Sequence, residues 1–307
     1  MTRHCICYVV DDNYLFPTLV SASQAREHAP ASLADIVILC LSDASERVRK
    51  VMPVAISLGV QLIEVPTTSI DNLHPMYGRL FIDKLLPRAY ERVLYIDGDT
   101  QIAGSLEPLL NIDIPEGKFL AVRDPAAMFA KLSDKWTRRI QAERDEAGLG
   151  QRSLEDYLNT GVLAFNLKDW GNLAGETLKL IRGRSTPFKF GDQDPMNLAI
   201  GNQCLYISNR WNFPGFLIGS SQEERVKPVI YHFMSNPRPW IYAGAPWGEK
   251  WHTPYKDFLA RFPSLESVAP KTTSVKKARH YLQQALKCVT EYGPVSRFSE
   301  AKPLQEV

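Results

Sequence analysis

The chain lacks the features that mark membrane-spanning, secreted and nucleic-acid-binding proteins. No stretch of its 307 residues approaches the ~20 apolar residues that a membrane-spanning helix needs, and residues 1–4 lead into a predicted strand without an apolar signal core. The formal net charge of +2 is too small to favour nucleic acid as a partner. These absences predict a cytoplasmic protein that is at most peripheral at the inner membrane surface and binds no nucleic acid.

Cysteine pairs and repeats are also missing. The five cysteines are an odd number and form no CxxC pair, and most lie in apolar, strand-like runs, which predicts buried and reduced thiols. There is no internal repeat, no low-complexity tract and no GxGxxG after the first predicted strand. A nucleotide would therefore be held by side chains and not by a glycine turn, and residues 11–14, Asp-Asp-Asn-Tyr, are the candidates.

What the chain does contain is an alternation of strand and helix patterns over its first third. The predicted elements are strand 5–10, a helix after Pro17, strand 35–41, helix 46–58, strand 60–65 and a helix near 76–86. Such alternation predicts βαβ units and a parallel sheet. Residues 125–158 follow as a highly charged helical excursion, for which a lid and a solvated helical face are both open interpretations.

The strongest single signal is residues 92–99, an apolar run that stops at Asp97, Gly98 and Asp99. If the extended geometry persists through Gly98, the two carboxylates point the same way. Paired carboxylates at the carboxyl end of a parallel strand suit a divalent cation that holds a phosphate. A plain Asp-Gly turn is the competing interpretation. A calcium-binding loop is excluded, because Pro108 stands where its final glutamate would be.

Further polar residues stand inside or at the ends of predicted elements. One group precedes a strand at 161–166, a second starts the helix that follows residue 191, and a third follows a strand at 229–231. Arg79 adds one further position, in the helix predicted before residue 92. The whole set is Arg79, Asn159, Thr160, Asp192, Gln193, His232 and Arg238. Each position alone is weak evidence, whereas the ordered set is strong evidence.

Taken together, these segments resemble glycosyltransferase family 8, the retaining enzymes that include glycogenin and the bacterial lipopolysaccharide α-galactosyl- and α-glucosyltransferases. The resemblance runs from about Cys5 to Trp240. It implies a GT-A fold, which is a Rossmann-like nucleotide-diphospho-sugar transferase fold with a mixed, mainly parallel sheet. It also implies a UDP-sugar donor, with UDP-glucose or UDP-galactose favoured, a glycan or glycolipid acceptor, and a divalent cation, Mn²⁺ or Mg²⁺.

The resemblance further implies a role for each matching position. Asp97, Asp99 and His232 would hold the metal, and Gln193 and Asp192 would serve the chemical step. The positions implied in donor binding are Asp11, Asn13, Tyr14, Arg79, Asp97, Gly98, Asp124, Asn159 and Arg238. On the residues alone, a structural histidine at position 232 and a plain polar turn at 11–14 remain as alternatives.

The sequence departs from the family pattern after His232. Ser235 replaces a glycine that would allow the backbone to approach phosphate closely, and Arg238 replaces a lysine, which keeps the charge but changes its geometry. The resemblance implies that Gln193 lies nearer the anomeric carbon than Asp192, and a glutamine amide is a poor nucleophile. We therefore expect a front-face substitution in which the UDP phosphate serves as the base.

Two other functions fit parts of this pattern. A catalytically impaired sugar-nucleotide-binding protein is compatible with Ser235, although the intact Asp97, Asp99, Gln193 and His232 count against it. A sugar nucleotidyltransferase would also place metal-binding carboxylates on a nucleotide-binding sheet. The lack of a glycine-rich, basic loop after the first strand counts against that alternative.

The last part of the chain differs from the rest in composition. We predict a catalytic domain at 1–262 and a basic helical appendage at 263–307. Six Lys or Arg stand between Lys271 and Arg297 against one acid, Glu291. A basic helix of this kind would either lie on an anionic membrane surface or pack on the catalytic domain. Its apolar residues at helical spacing are Val275, Ala278, Leu282, Ala285, Leu286, Val289 and Tyr292.

Overall fold

The structure is a computed structural model of the whole chain. It describes residues 4–125, 134–150, 153, 156–234, 236–244 and 246–287. Ser235, whose effect on the loop after His232 was in question, lies outside the described residues, as do Cys288, Val289, Tyr292 and Arg297.

Within these described residues, ten strands form two sheets. The strands are β1 (His4–Asp11), β2 (Asp35–Leu41), β3 (Val60–Val65), β4 (Arg92–Ile96), β5 (Thr100–Ile102), β6 (Phe119–Arg123), β7 (Leu158–Asn166), β8 (Cys204–Tyr206), β9 (Phe213–Pro214) and β10 (Ile230–His232). The main sheet has the order β3-β2-β1-β4-β7-β6-β8, and the small sheet has the order β5-β10-β9. Strand β7 runs antiparallel to both of its neighbours, whereas the other pairs of the main sheet are parallel. The predicted mixed, mainly parallel sheet is therefore confirmed.

The main sheet is buried on both faces, which explains the unbroken apolar runs in its strands. Along β1, Ile6 and Tyr8 pack in one hydrophobic cluster, and Cys5 and Cys7 pack in the other. Successive side chains of a strand point to opposite faces, so that both sets must be apolar when helices cover both faces. The sequence of β1 is thus a consequence of its central place in the sheet.

Helices cover the two faces. They are α1 (Leu15–His28), α2 (Glu46–Ser57), α3 (Ile82–Leu85), α4 (Glu107–Leu110), α5 (Asp134–Ala147), α6 (Leu167–Arg182), α7 (Gln193–Ala199), α8 (Ser221–Val226), α9 (Glu249–Arg261) and α10 (Ser274–Lys287). Short 3₁₀ segments lie at Thr67–Ile70, Pro75–Phe81, Asn209–Trp211, Gly215–Leu217 and Pro263–Leu265. Helices α1, α2 and α9 pack in the first cluster, while α6, α7 and the segment around α3 pack in the second.

Two of the predicted helices differ in their details. Helix α1 begins at Leu15, before Pro17, because the first turn of a helix needs no backbone donor at that position. The helix predicted near 76–86 is wrong as a single α-helix, because residues 75–81 form a 3₁₀ segment that α3 continues. This segment brings Gly78 against β2, where a Cβ atom would come within 2.4 Å of Leu41 Cδ1.

The end of the chain is only partly separate from the core. Leu265 and Val268 are buried in the first cluster, and Lys50 Nζ donates to Ser267 Oγ at 3.3 Å. Beyond them, α10 is mostly exposed. In the described part of the chain, no helix has both the length and the apolar character to cross a membrane.

The cysteines agree with the predicted burial where they are described. Cys5, Cys7 and Cys40 are buried free thiols, and Cys204 is partly exposed.

Candidate metal centre and sugar pocket

Four strand ends bring polar side chains to one edge of the main sheet. Asp11, Asp97 and Asp124 end or follow β1, β4 and β6, which run in the same direction. Asn159 stands at the amino end of β7, and because β7 is antiparallel, that end lies at the same edge. Open α/β sheets bind ligands at the carboxyl ends of their parallel strands. The topology therefore collects these residues in one place.

Asp97 and Asp99 converge through a turn and not through a continued strand. Strand β4 ends at Ile96, residues 98 and 99 form a turn, and the hydroxyl of Thr100 donates to the carbonyl of Asp97 at 2.9 Å. The assumption that extended geometry persists through Gly98 is thus wrong. The glycine is needed for packing, because a Cβ atom there would lie 2.1 Å from Thr18 Oγ1.

The small sheet brings His232 to the two carboxylates. Strand β10 pairs with β5 so that His232 lies opposite Thr100. Its Nε2 atom is 3.1 Å from Asp99 Oδ1 and 3.7 Å from Asp97 Oδ2. One ligand atom from each of the three residues lies within 4.8 Å of the others. Two carboxylates and one imidazole fit a divalent cation, and the imidazole suits a transition ion better than magnesium.

Basic groups already neutralise this cluster. Burial alone would raise the pKa of the Asp99 carboxyl, but His232 and Arg238 together hold that pKa far below its ordinary value. Arg238 Nη1 donates to Asp99 Oδ2 at 2.5 Å and also to the carbonyl of Phe233. Burial would lower the pKa of His232, but Asp99 raises it more strongly, so that the net shift is upward. The site is therefore built to hold positive charge against Asp99.

Arg79 joins the metal cluster to the helix start at α7. Its Nη2 atom lies 2.9 Å from Asp97 Oδ1, its Nε atom lies 2.9 Å from Asp192 Oδ2, and its Nη1 atom donates to the carbonyl of Thr160 at 2.7 Å. The hydroxyl of Tyr95 also donates to Asp97, at 2.5 Å. Burial raises the pKa of Asp192 to about 6, and Arg79 opposes that shift.

A cavity of about 510 Å³ opens beside this cluster. Eight of the predicted site residues line it: Arg79, Asp97, Asp99, Asp124, Asn159, Asp192, Gln193 and His232. Asp124 Oδ2 accepts from Asn159 Nδ2 at 2.9 Å and from Gln193 Nε2 at 3.1 Å. The backbone N–H of Thr160 donates to Gln193 Oε1 at 3.2 Å. The carboxamide of Gln193 is thus held at both of its ends.

Helix α5 and two aromatic rings also line the cavity. Arg139, Ile140, Glu143 and Arg144 line it from one face of the helix, and Phe190 and Phe216 complete it. The charged excursion predicted at 125–158 therefore contributes α5 to the cavity. The structure does not describe residues 126–133, 151, 152, 154 and 155 of that excursion.

The five remaining predicted site residues do not line this cavity. Among them, Asp11 Oδ1 accepts from the backbone N–H groups of Asn13 and Tyr14 at 3.0 and 3.1 Å, which holds the turn after β1. The ring of Tyr14 meets Trp240 edge to face at 5.7 Å, and the guanidinium of Arg238 lies 5.6 Å from the centre of the same Trp240 ring. Arg238 and Trp240 therefore connect this turn to Asp99.

Three residues of the site were missed by the sequence reasoning as functional positions. Tyr95 orients Asp97, Asn212 Oδ1 lies 2.9 Å from His232 Nδ1, and Gly161 makes room for the His232 ring. Tyr95 stands two residues before Asp97 on the same strand face, which is a usable signal. Asn212 and Gly161 carry no such signal, because their contacts depend on how β9, β10 and β7 pack together.

Comparison with solved structures gives the fold of this protein. The galactosyltransferase LgtC, solved in complex with donor and acceptor sugar analogues, superposes with a TM-score of 0.64 at 20% sequence identity, covering 82% of this chain and 95% of that chain. The glycosyltransferase GlyE of Streptococcus pneumoniae TIGR4 superposes with a TM-score of 0.59 at 19% identity, covering 89% of this chain and 66% of that chain. The chain has the GT-A glycosyltransferase fold, as the resemblance implied.

Sequence comparison then gives the family. The family model described as glycosyl transferase family 8 matches residues 5–244, so that the chain belongs to this family. Lipopolysaccharide 1,3-galactosyltransferase of Salmonella typhimurium is 24% identical over 259 residues, which are 78% of this chain and 74% of that protein. Lipopolysaccharide 1,2-glucosyltransferase of Escherichia coli K12 is 26% identical over 177 residues, which are 54% of this chain and 48% of that protein. The match thus spans about half the length of the second relative.

Proposed function

We propose that this protein is a metal-dependent retaining hexosyltransferase, which moves a sugar from UDP-glucose or UDP-galactose to a hydroxyl group of a glycan or glycolipid. One observation carries the proposal: the cluster of Asp97, Asp99 and His232 opens onto the cavity that Asp124 and Gln193 line. A diphosphate-binding cation would thus stand next to a pocket with hydrogen-bonding groups for sugar hydroxyls. Family membership supports the same activity.

In this proposal Asp97, Asp99 and His232 hold Mn²⁺ or Mg²⁺. When bound, the cation neutralises the diphosphate and stabilises the charge on departing UDP. Arg238 lies on the Tyr14 side of Asp99 and can grip phosphate with two parallel N–H groups. Asp11, Asn13 and Tyr14 would hold the nucleoside, beyond Arg238.

The sugar would lie over Asp124, Asn159 and Asp192. The oxygen of the acceptor hydroxyl attacks the anomeric carbon on the face that UDP leaves, the bond to the diphosphate oxygen breaks, and a phosphate oxygen takes the hydroxyl proton. Asp192 is a poor nucleophile here because its carboxyl is buried against Arg79. Gln193 Oε1 has two acceptor positions, one of them directed at Thr160 N–H, and can place its negative end near the anomeric carbon.

The acceptor would enter between α5 and Phe190. Phe190 is 48% exposed although it lines the cavity, and its ring offers an apolar platform for a sugar ring. Arg139 and Glu143 on α5 line the same part of the cavity and provide polar groups for acceptor hydroxyls.

Helix α10 supports a further part of the proposal, contact with an anionic membrane surface. Gln284 is fully buried, and its Nε2 atom donates to the carbonyl of Asn236 in the loop between His232 and Arg238. Val275 stands nine residues earlier, which places it about 180° around the helix from Gln284, and it is 80% exposed. The apolar side of α10 therefore points away from the catalytic core.

The charge of the residues around α10 favours one surface as the partner of its apolar side. Residues 267–287 contain no Asp or Glu, and their basic residues are Lys271, Lys276, Lys277, Arg279 and Lys287. Two copies of such a helix would repel each other, whereas an anionic lipid surface would attract it and receive its apolar side chains. The protein would then work at the cytoplasmic side of the inner membrane, where a glycolipid acceptor is within reach.

Donor hydrolysis tests the catalytic proposal without knowledge of the acceptor. With Mn²⁺, the protein should slowly release UDP from UDP-glucose or UDP-galactose. Asp99→Asn should lower the rate by about 100-fold, since metal assistance supplies several kcal/mol. Asp113→Asn is the matched control, because that carboxylate is 98% exposed and remote from the cavity, and its rate should be unchanged. UDP release that persists in a chelator, or binding of UDP-sugar without any release, contradicts the proposal.

Vesicle binding tests the membrane proposal. The protein should sediment with phosphatidylcholine vesicles that contain phosphatidylglycerol, should not sediment with pure phosphatidylcholine, and should be released by salt. Leu282→Gln should weaken binding, since Leu282 is 70% exposed on α10. The control is Ile56→Gln, because Ile56 lies on α2 and is similarly exposed (68%). This variant should bind vesicles as the unsubstituted protein does. Equal loss in both variants, or equal binding to neutral vesicles, would refute this surface.

A further inference from the structure

His232 uses both of its ring nitrogens. Nε2 lies among the proposed metal ligand atoms, 3.1 Å from Asp99 Oδ1, and Nδ1 lies 2.9 Å from Asn212 Oδ1. A neutral imidazole has its proton on one nitrogen and a lone pair on the other. Only the tautomer with its proton on Nδ1 can offer Nε2 to a cation. The tautomer therefore depends on whether Asn212 presents its oxygen or its NH₂ group to Nδ1.

The orientation of the Asn212 carboxamide follows from a series of hydrogen bonds that begins at the main chain. The backbone N–H of Gly161 can only donate, and it donates to Asn159 Oδ1 at 2.9 Å. On the other side of the same carboxamide, Asn159 Nδ2 donates to Asp124 Oδ2 at 2.9 Å. Exchanging the oxygen and nitrogen of Asn159 would place two donors together at Gly161 and two acceptors together at Asp124. The orientation of Asn159 is therefore fixed from both sides.

Asn159 in turn fixes Asn212. Asn159 Oδ1 also faces the carboxamide of Asn212 at 2.8 Å, and this partner must be the NH₂ group. Asn212 then presents Oδ1 to His232 Nδ1, which must carry the proton. Resting on the proposed function for the identity of the ligand, we infer that Asn212 is a positioning residue that holds His232 in the Nδ1-protonated tautomer and turns the Nε2 lone pair towards the metal.

Burial makes this control effective. Asn159, Asn212 and His232 are all buried, so that bulk water cannot replace a lost partner. Because Gln193 also donates to Asp124, one hydrogen-bonded line runs from Gln193 through Asp124, Asn159 and Asn212 to His232. It joins the sugar end of the cavity to the metal end. Partners that orient a metal-binding histidine typically contribute about 10- to 100-fold to metal affinity.

The tautomer can be measured by NMR in protein labelled with ¹⁵N-histidine. The chain has six histidines, and His232→Gln assigns the signal. At alkaline pH, where the ring is neutral, Asp99 Oδ1 at 3.1 Å from Nε2 competes for the single proton, and we expect the Asn212 oxygen to hold it on Nδ1. Asn212→Leu should shift the ring towards the Nε2-protonated form and lower the Mn²⁺ affinity, measured by EPR with UDP present, by about 10- to 100-fold. Asn212→Asp loses the donor to Asn159 Oδ1 but keeps an acceptor for Nδ1, and it should keep the tautomer.

Asn209→Leu is the matched control, because Asn209 is buried three residues upstream and lies outside the hydrogen-bonded line. It should change neither readout. A proton on Nε2 in the unsubstituted protein overturns the inference, and so does Asn212→Leu with both readouts unchanged. If Asn212→Leu does not fold, the unsubstituted protein and Asn212→Asp decide. If the unsubstituted protein neither binds Mn²⁺ with UDP nor releases UDP, the proposed function fails, and the tautomer measurement still decides this inference.

Discussion

Gly161 determines how closely the ring of His232 can approach β7. A Cβ atom at this position would lie 2.3 Å from His232 Cε1 and 2.6 Å from Nδ1, which is closer than atoms can pack. We expect Gly161→Ala to displace the ring, to lower the free energy of unfolding by about 1–3 kcal/mol, and to weaken Mn²⁺ binding by about 10-fold. Urea unfolding and Mn²⁺ titration measure both effects.

Gly175→Ala provides the comparison for that variant. Gly175 lies on α6. A Cβ atom added there would have no crowding neighbour within 4 Å among the described residues. Its stability should stay the same or rise slightly, since alanine is the better helix former. If Gly161→Ala bound Mn²⁺ as tightly as Gly175→Ala, the close approach of His232 to β7 would be refuted.

Asp192 should give the stability of the protein a distinct pH dependence. Burial raises its pKa to about 6 in the folded state, whereas it is about 3.9 in an unfolded chain. Between these values the folded state binds more protons, so that the contribution of Asp192 to stability falls as the pH rises from about 4 to about 6, by up to about 3 kcal/mol. Asp192→Asn removes this contribution.

Unfolding in urea between about pH 4 and 7 measures the difference between the two proteins. Other titrating groups are present in both, and their contributions largely cancel. The stability of Asp192→Asn relative to the unsubstituted protein should therefore rise with pH. Two parallel curves would show that the carboxyl keeps an ordinary pKa beside Arg79.

Individual site residues differ in how far the sequence could predict their place. The positions of Asp97 and Asp99 at one strand end followed from the apolar run before them, although the turn at Gly98 did not. Asn212 could not be predicted, because its contact with His232 depends on the pairing of β9 and β10, which are two and three residues long. Strands this short carry no pattern that distinguishes them from a loop.

Among the elements, α5 and the segment before α7 should matter for transfer and not for donor cleavage. Phe190→Ala removes the exposed ring at the cavity wall. We expect UDP release with water as acceptor to stay within about twofold, while transfer to a glycan acceptor falls by about 10-fold, because the substitution removes acceptor contacts only.

An acceptor for this measurement can be found by screening glycolipid extracts with radiolabelled UDP-sugar. Leu205→Ala serves as the control, because Leu205 is also partly exposed but lies on β8 outside the cavity. An equal drop of hydrolysis and transfer in Phe190→Ala would assign the ring to the donor side.

Helix α10 and the residues before it should respond differently to truncation. A chain ending at Ala269 keeps Leu265 and Val268 in the core and should retain its stability and donor hydrolysis while losing vesicle binding. A chain ending at Phe262 removes both buried side chains, and its free energy of unfolding should fall by about 3 kcal/mol or more. Equal stability of the two truncations in urea would place the boundary of the catalytic domain at 262, as the composition predicts.

Helices and strands were predicted correctly where the spacing of the apolar residues matches the way the element packs in the structure. Strands β1, β2 and β4 are apolar because both of their faces are covered, and they and the edge strand β3 were predicted within a residue or two. The segment at 75–81 was mistaken for an α-helix, because its apolar spacing does not reveal that Gly78 must press against Leu41. Tertiary contact thus overrode a local pattern.

For the whole molecule, the alternating first third was enough to predict the parallel part of the sheet. The reversal of β7 was not predictable from its own sequence, since a strand buried on both faces is equally apolar in either direction. That reversal is what brings Asn159 to the edge where Asp97 and Asp124 end. The family resemblance, and not the pattern, implied this arrangement.

The pairing of Arg79 and Arg238 with the site carboxylates has a consequence for the order of assembly. Asp97, Asp99 and Asp192 face Arg79 and Arg238, so that much of their negative charge is already balanced before any ligand arrives. A divalent cation alone would leave excess positive charge, and a diphosphate alone would meet three carboxylates. The two should therefore enter cooperatively: UDP should tighten Mn²⁺ binding by about 10-fold or more, and Mn²⁺ should tighten UDP binding by the same factor. Calorimetric titration of each ligand with and without the other measures this coupling, and independent binding would show that the arginines leave the carboxylates open to the metal.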